Sequence, residues 1–364
     1  MDLRDRTRGC ILGTAVGDAL GHPTEFVPSV GAIRARWGPR GVQGFVAAGR
    51  HPPGTFTDDT QMALCVVRAL CRAGRGDLDA LMGVMAEEFV AWVDSPHNDR
   101  APGGTCLAGC HALGRGVAWR AAGVKGSKGC GAAMRAAPVG LYFAHDDRAL
   151  VRVSAAQSAL THAHPTGIAS GVAAAAAVAW VVRGGALGDL LGYVRARVED
   201  LDPEALTAVG CDPQLARGLG AREMLEALDR TSQSLATDHD DVSALLGGGW
   251  VGEEAVACAL WCVLRAGDDF REAVLRGANS GGDSDSIACI AGSIAGAALG
   301  PSAIPLGWRE EVETPWLLEG LAAALARSII EGDLRLDPSL DPFGAEGPRR
   351  QSRAPCSEPP EPQP

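Results

Sequence analysis

Aromatic side chains are scarce in this chain of 364 residues: Phe, Trp and Tyr together make up 5%, and only two residues are Tyr. The alternation of β-branched or aromatic residues with polar ones that marks a half-buried strand is almost absent. These absences argue against β-strands and leave the apolar residues, 46% of the chain, to helices. Ala-rich and Leu-rich runs with a period near 3.6 residues predict helices at 61–72, 80–92, 151–161, 168–182, 187–198, 221–228, 253–265, 270–278, 287–299 and 316–330. We therefore expect an all-α fold.

Clusters of basic residues are also missing. The chain has 33 Lys and Arg against 44 Asp and Glu, a formal charge of −11, and no stripe of positive charge that would neutralise phosphates. Nucleic acid is therefore not an expected partner. The start of the chain lacks the apolar core of a secretory signal, and the longest apolar stretch, 167–182, is short and mostly Ala. We predict a buried helix there, no membrane association and a cytoplasmic location.

Paired metal-ligand spacings of Cys and His are lacking as well. The eleven Cys are odd in number and contain no C-x2-C pair, so we expect small buried thiols kept reduced in a cytosol. His162 and His164 lie two residues apart beside Pro165, which does not match the i, i+4 spacing of a helical histidine zinc site. A zinc site is therefore disfavoured.

No fixed internal period is present, which argues against a solenoid of repeated helix pairs. We predict one multi-helix domain over 1–335 and expect a monomer. The composition then changes to Pro, Glu, Arg, Ser and Gln, which cannot bury enough apolar area to offset chain entropy. We predict that the tail, 336–364, is disordered.

Two acidic clusters, GTFTDDT at 54–60 and SGGDSDS at 280–286, are the most informative segments present. Each places two carboxylates and hydroxyls on a turn before a helical run. Carboxylate and hydroxyl oxygens are the ligands that hard divalent cations prefer, and converging carboxylates would repel without such ions. The same residue types also cap helices, so capping is the alternative for either cluster alone. Their recurrence favours a two-metal site.

Four further segments have residue choices that suggest chemistry. They are GTAVGDALG at 13–21 followed by Glu25, NDRAPGGT at 98–105, the Gly-rich GSKGCGAAMR at 126–135, and THAHP at 161–165. A Gly-rich loop that enters a helix can aim backbone N–H groups at phosphate oxygens. Taken alone, such a segment is more often a simple turn, and such a histidine is more often structural than a ligand contact.

In order and spacing the six segments together resemble the ADP-ribosylglycohydrolase family, over roughly residues 6–308. The resemblance implies an all-α fold that holds two Mg²⁺ ions, with Mn²⁺ as a substitute, at the bottom of an ADP-ribose cleft. The residues that match the family's metal ligands are Thr57, Asp58, Asp59, Asp283, Asp285 and Ser286. Ser286 stands where threonine is usual, and it retains the hydroxyl.

The resemblance also implies roles around the cleft. Residues expected to bind ADP-ribose are Gly103, Thr105, Ser127, Gly129, Cys130, Gly131, Met134 and His162. Cys130 stands where asparagine is common, which removes one polar contact to the nucleotide. Glu25 matches a mobile acidic residue that covers the metals. Either Glu25 or Asp99 would then transfer protons, although a solvent-facing Asp99 that caps a turn is an equal alternative.

The implied activity is hydrolysis of the C1″ glycosidic bond of ADP-ribose on a modified protein. Arginine is the expected acceptor, from the likeness to the branch that contains the dinitrogenase reductase-activating glycohydrolase. The alternatives are an O-linked acceptor, such as serine or poly(ADP-ribose), and an ADP-ribose-binding protein without turnover. An Mg²⁺-dependent isoprenoid synthase is a remote alternative, because the first cluster lacks a third carboxylate and aromatic residues are few.

Overall fold

The structure, a computed structural model, describes residues 1–237 and 239–343. Within these residues it contains α-helices, three 3₁₀ turns and isolated β-bridges but no sheet. The helices are α1 (Leu3–Gly21), α2 (Val30–Trp37), α3 (Asp58–Ala73), α4 (Leu78–Val93), α5 (Gly104–Gly114), α6 (Trp119–Ala122), α7 (Ala137–Tyr142), α8 (Asp147–Ala159), α9 (Pro165–Val182), α10 (Leu190–Glu199), α11 (Pro203–Ala208), α12 (Pro213–Gly218), α13 (Arg222–Ser234), α14 (Val242–Leu246), α15 (Gly252–Ala266), α16 (Phe270–Ala278), α17 (Ser284–Leu299), α18 (Leu306–Glu311) and α19 (Pro315–Glu331). The predicted all-α fold is confirmed, and every predicted helical run overlaps a helix.

Helix α9 is the centre of the core. His164 is its N-cap and Pro165 its first residue, a favourable pair because Pro lacks the N–H that would be unsatisfied there. The helix packs against α7, α8, α10, α15 and α17. It is long and apolar enough to cross a membrane, but 94% of it is buried inside the fold. The predicted buried helix is thus confirmed.

Helices α1 and α17 pack antiparallel at very short distance. Every fourth residue of α1 on the contact face is glycine, from Gly9 to Gly21. A Cβ placed on Gly13 would lie 2.1 Å from the carbonyl oxygen of Gly292, and one on Gly17 would lie 2.0 Å from that of Ala288. Only glycine fits such an approach. The contact sets the C-terminal end of α1 directly against the start of α17, where the second acidic cluster lies.

The folded part of the chain extends beyond the predicted boundary at residue 335. Leu340 and Phe343 are each only 9% exposed and pack against the core, and the guanidinium of Arg68 donates to the carbonyl of Leu340 at 2.6 Å. Two apolar side chains in a Pro-rich segment are enough to anchor it here, which corrects the prediction for 336–343. The rest of the predicted tail, 344–364, lies outside the described residues.

The thiols of the described residues are unpaired, and nine of these ten Cys are buried. The positions agree with the prediction of small buried thiols. The exception is Cys130, which is partly exposed to the cavity described next.

Candidate active site

A cavity of about 310 Å³ opens where α1, α3 and α17 meet the Gly-rich loop. Its lining includes most of the residues singled out from the sequence: Glu25, Asp58, Asp59, Gly103, Thr105, Gly129, Cys130, Gly131, Met134, His162, Asp283, Asp285 and Ser286. Segments more than two hundred residues apart in the chain thus contribute to one concave site. Three predicted site residues, Thr57, Ser127 and Asp99, do not line it.

The two acidic clusters face each other from the first turns of two helices. Thr57 is the N-cap of α3, whose first residues are Asp58 and Asp59, and Asp283 is the N-cap of α17. The hydroxyl of Ser286 donates to both carboxylate oxygens of Asp59, at 2.9 and 3.0 Å, and so joins the clusters. Both positive helix ends point toward the carboxylates, which offsets part of their repulsion.

Glu25 approaches this pair of clusters from the loop after α1. Oxygen atoms of Glu25, Asp283 and Asp285 all lie within 4.8 Å of one another. Glu25 is 8% exposed, and its Oε2 has no hydrogen-bond partner. A buried carboxylate oxygen without a partner indicates a missing cationic or polar neighbour.

The pKa values of the carboxyl groups in the cavity also indicate a missing positive charge. Burial, and then the neighbouring carboxylates of Asp285 and Asp283, raises the pKa of Glu25 to about 12. Burial raises the pKa of Asp58 to about 8, and burial followed by Asp285 holds the pKa of Asp59 and of Asp283 well above the usual range. Each shift means that the charged form lacks a compensating positive charge. An oxygen-rich donor set of this kind fits hard divalent cations.

Asp18 lies in the segment 13–21, and its role is not apparent from the sequence. Its carboxylate accepts from the backbone N–H and the hydroxyl of both Thr57 and Thr60, at distances between 2.6 and 3.0 Å. Burial, and then Asp285, raises the pKa of Asp18 to about 6. Asp18 therefore fixes the first turn of α3 and orients Thr57, whose hydroxyl also lies 3.4 Å from Asp285 Oδ2. The signal in the sequence was a lone carboxylate within an otherwise apolar segment.

His162 is hydrogen-bonded to residues behind the cavity. The buried guanidinium of Arg135 donates to Thr161 Oγ1 at 2.7 Å, and Thr161 Oγ1 lies 2.8 Å from His162 Nδ1. Since Arg135 can only donate, the Thr161 hydroxyl is free to donate to Nδ1, which leaves the proton on Nε2. Burial, and then Arg135, lowers the pKa of His162 to about 3. His162 is therefore a neutral donor beside Gly129 and Gly131.

The Gly-rich loop is fixed by contacts of Lys128 with helices α13 and α15. Lys128 contacts the carboxylates of Glu223 and Glu253, and its carbonyl accepts from Gly252 N–H at 2.8 Å. A Cβ on Gly131 would lie 2.5 Å from the sulfur of Cys106, so no larger residue fits there without a shift. These contacts hold the loop close against the cavity floor.

The three predicted residues outside the lining differ in position. Thr57 lies behind the cavity in contact with Asp18 and Asp285, and Ser127 Oγ lies 2.8 Å from Thr105 Oγ1, which does line the cavity. Asp99 faces solvent, with 39% of its side chain exposed, and pairs with Arg50 at 2.5 Å. The structure does not bring Asp99 to the cavity, because its loop turns outward before Gly103 N–H reaches Asp58 at 3.1 Å.

Two aromatic residues at the cavity mouth had no signal in the sequence. Phe26 and Trp250 stack with ring centroids 5.9 Å apart and an interplanar angle of 25°. They are 68% and 48% exposed, although both line the cavity. Distant in sequence and set in loops, they show no periodicity that would have paired them.

The all-helical fold and the buried acidic cavity define a class of protein with an oxygen-rich cleft that fits hard divalent cations. A profile of the ADP-ribosylglycohydrolase family matches residues 1–334, and the chain belongs to this family. The predicted family is confirmed. The chain is accordingly an ADP-ribosyl glycohydrolase, an enzyme that acts on glycosyl bonds of ADP-ribose.

Individual proteins similar to this chain have names that agree with the family assignment. The chain is 28% identical to the ADP-ribosylarginine hydrolase Tri1 of Serratia proteamaculans, covering 88% of this chain and 79% of that one. It is 28% identical to the ADP-ribosyl-[dinitrogen reductase] glycohydrolase of Rhodospirillum rubrum (85% and 91%) and to the human ADP-ribosylhydrolase ARH3 (88% and 93%). A solved ADP-ribosylglycohydrolase-related protein superposes with a TM-score of 0.68 at 25% identity, over 90% of this chain and 99% of the other.

Proposed function

We propose that this protein removes ADP-ribose from arginine side chains of modified proteins, with two Mg²⁺ ions as cofactors and Mn²⁺ as a substitute. The observation that carries the proposal is the convergence of five carboxylates in one buried cavity. No Lys or Arg lines that cavity in the part of the chain that the structure describes. Divalent cations are the simplest source of the missing positive charge.

The proposed ligands are the side chains of Thr57, Asp58, Asp59, Asp283, Asp285 and Ser286. When bound, the ions would polarise a water molecule and hold the ribose hydroxyls next to it. Asp18 supports the set by orienting Thr57. The hydrogen bond from Ser286 to Asp59 keeps the two acidic clusters at a fixed spacing.

The substrate side of the cavity is assigned to Gly103, Thr105, Ser127, Gly129, Cys130, Gly131, Met134 and His162. The glycines allow the diphosphate of ADP-ribose to approach the main chain closely. His162, neutral and protonated on Nε2, would donate one hydrogen bond to the nucleotide without adding charge to the site. Ser127 acts through its contact with Thr105.

In the proposed reaction the bond between C1″ and the guanidinium nitrogen breaks while a bond between C1″ and a water oxygen forms. One proton leaves that water, and one proton is taken up by the departing guanidine nitrogen. Glu25 is the proposed group that transfers a proton in this reaction. It is buried beside Asp283 and Asp285 and has an oxygen without a partner. No oxidation or reduction takes place.

Support for a cationic acceptor comes from the mouth of the cavity. The stacked rings of Phe26 and Trp250 present aromatic faces and edges next to the buried carboxylates. A guanidinium is attracted both to aromatic rings and to acidic groups, whereas the ether oxygen of an O-linked serine carries no charge that either would attract. The Serratia relative is named an ADP-ribosylarginine hydrolase, which favours the same acceptor.

The test is a panel of arginine-linked, serine-linked and poly(ADP-ribose) substrates, each incubated with Mg²⁺, with Mn²⁺ and with chelator. We expect release of ADP-ribose from the arginine-linked substrate alone, and none with chelator. Release chiefly from O-linked substrates would move the acceptor to serine or poly(ADP-ribose). Binding of ADP-ribose without turnover of any substrate would overturn hydrolysis.

A further inference from the structure

Cys130 is the only described cysteine that is partly exposed, and it opens onto the acidic cavity. Its Sγ lies 2.8 Å from Asp283 Oδ2, and Ser286 Oγ lies 3.6 Å from the same sulfur. A thiol at hydrogen-bond distance from a buried carboxylate puts a soft donor directly beside hard oxygen donors.

Glu25 shows independently that this place is built for a ligand. It is 8% exposed, its Oε2 has no partner, and it shares with Asp283 and Asp285 a set of oxygens within 4.8 Å. Asp283 is therefore close both to the Cys130 thiol and to the carboxylates of Glu25 and Asp285. An ion bound at Asp283 would have a sulfur ligand within reach.

We propose that Cys130 makes the Asp283 side of the cavity a binding site for thiophilic divalent cations, of the class of Zn²⁺, Cd²⁺ and Co²⁺. The inference rests on the cation site of the proposed function. Thiolate sulfur selects such ions, whereas Mg²⁺ prefers oxygen. On binding, the Cys130 S–H bond breaks, a sulfur–metal bond forms and the proton passes to solvent, with no change of oxidation state. These ions would then compete with Mg²⁺ for the shared carboxylate of Asp283.

A second cavity thiol provides a matched control. Cys106 also lines the cavity but is buried, and its Sγ contacts the guanidinium of Arg135 at 3.7 Å instead of a carboxylate. A positive neighbour disfavours a bound cation. Removal of the Cys106 thiol should therefore leave thiophilic binding unchanged.

The experiment is a Co²⁺ titration of the metal-free full-length protein, followed by the near-ultraviolet sulfur-to-cobalt charge-transfer absorption. We expect the band in the wild type and in Cys106→Ser, and its loss in Cys130→Ser. Cd²⁺ affinity, measured by calorimetry, should fall at least about tenfold in Cys130→Ser, while Mg²⁺ affinity changes less than about threefold. Cys130→Ala, checked for helical circular dichroism, guards against a folding defect of the serine variant.

Cobalt binding without a sulfur band in the wild type would overturn the proposal, as would a band that persists in both Cys130 variants. The result is separable from the proposed function. A protein that shows the band but hydrolyses no ADP-ribosyl substrate keeps the thiophilic site and loses the hydrolase assignment. A protein that hydrolyses ADP-ribosyl substrates but shows no band keeps the hydrolase assignment and loses the thiophilic site.

Discussion

At the scale of single residues, the site depends on carboxylates whose charge the protein alone does not neutralise. Glu25 differs from the others because it comes from a loop and not from a helix start. Its distance to Asp283 and Asp285 would also allow it to be a metal ligand. A substitution that removes the charge of Glu25 but keeps its shape therefore best distinguishes a proton-transfer role from a metal-ligand role.

We predict that Glu25→Gln binds Mg²⁺ and ADP-ribose within about tenfold of the wild type, a change of about 1.4 kcal/mol. Its turnover should fall at least about a hundredfold, because an amide cannot carry the transferred proton. Calorimetry and single-turnover assays measure the two quantities. Asp99→Asn is the control, and it should retain turnover because Asp99 is exposed and paired with Arg50. Lost metal binding in Glu25→Gln would instead make Glu25 a ligand.

Asp18 should act on metal affinity although it does not line the cavity. In Asp18→Asn an amide NH₂ would replace one carboxylate oxygen, and it would face N–H and hydroxyl donors of Thr57 and Thr60. We expect Mg²⁺ affinity to fall about 10- to 100-fold, which is typical of residues that orient metal ligands. Calorimetric titration of the folded variant measures it. An unchanged affinity would reduce Asp18 to a helix-capping role.

At the scale of elements, the contact between α1 and α17 decides where the acidic groups meet. It joins the C-terminal end of α1, which leads to Glu25, to the start of α17, which carries Asp283 and Asp285. Strong apolar periodicity in the sequence predicts many of the helices but not α1. The glycines of α1 interrupt the periodic pattern. They are needed for close packing against α17, which is more than two hundred residues away in the sequence.

We predict that Gly13→Ala lowers the free energy of unfolding by about 3 kcal/mol, because its Cβ would meet the carbonyl of Gly292 at 2.1 Å. Gly83 in α4 is the matched control. It is exposed, and a Cβ there meets no atom within 4 Å. Gly83→Ala should therefore stabilise the protein by about 0.5–1 kcal/mol. Urea denaturation followed by circular dichroism measures both, and equal stabilities of the two variants would contradict the close-packing explanation.

The candidate site was predictable to the extent that its residues stand in local motifs. The acidic clusters, the Gly-rich loop and His162 belong to short segments whose composition is unusual, and all of them meet in one cavity. Phe26 and Trp250 could not be found this way, because their pairing arises from long-range packing. Arg135 ends the Gly-rich segment, but its contact with Thr161 likewise depends on tertiary packing. Asp99 was the opposite case: its motif suggested chemistry, but its side chain points to solvent.

At the scale of the whole molecule, the buried carboxylates couple folding to pH and to cations. Asp18 and Asp58 have pKa values raised from 3.8 to about 6 and about 8, chiefly by burial. A group whose folded pKa is raised contributes stability below its unfolded pKa, and loses it as pH rises through the folded value. In the metal-free protein the loss due to Asp18 and Asp58 extends from about pH 4 to about pH 8.

We therefore predict that the Tm of the chelated protein falls by at least about 3 °C between about pH 5 and about pH 8, and that saturating Mg²⁺ removes most of this fall. Bound cations supply the positive charge that ionised Asp18 and Asp58 lack, so deprotonation no longer costs stability. By the same linkage, Mg²⁺ affinity should rise with pH, since binding displaces protons. Thermal denaturation with chelator and with Mg²⁺ measures the difference. Parallel pH profiles under the two conditions would show that no cation binds among these carboxylates, and the proposed two-metal site would be wrong.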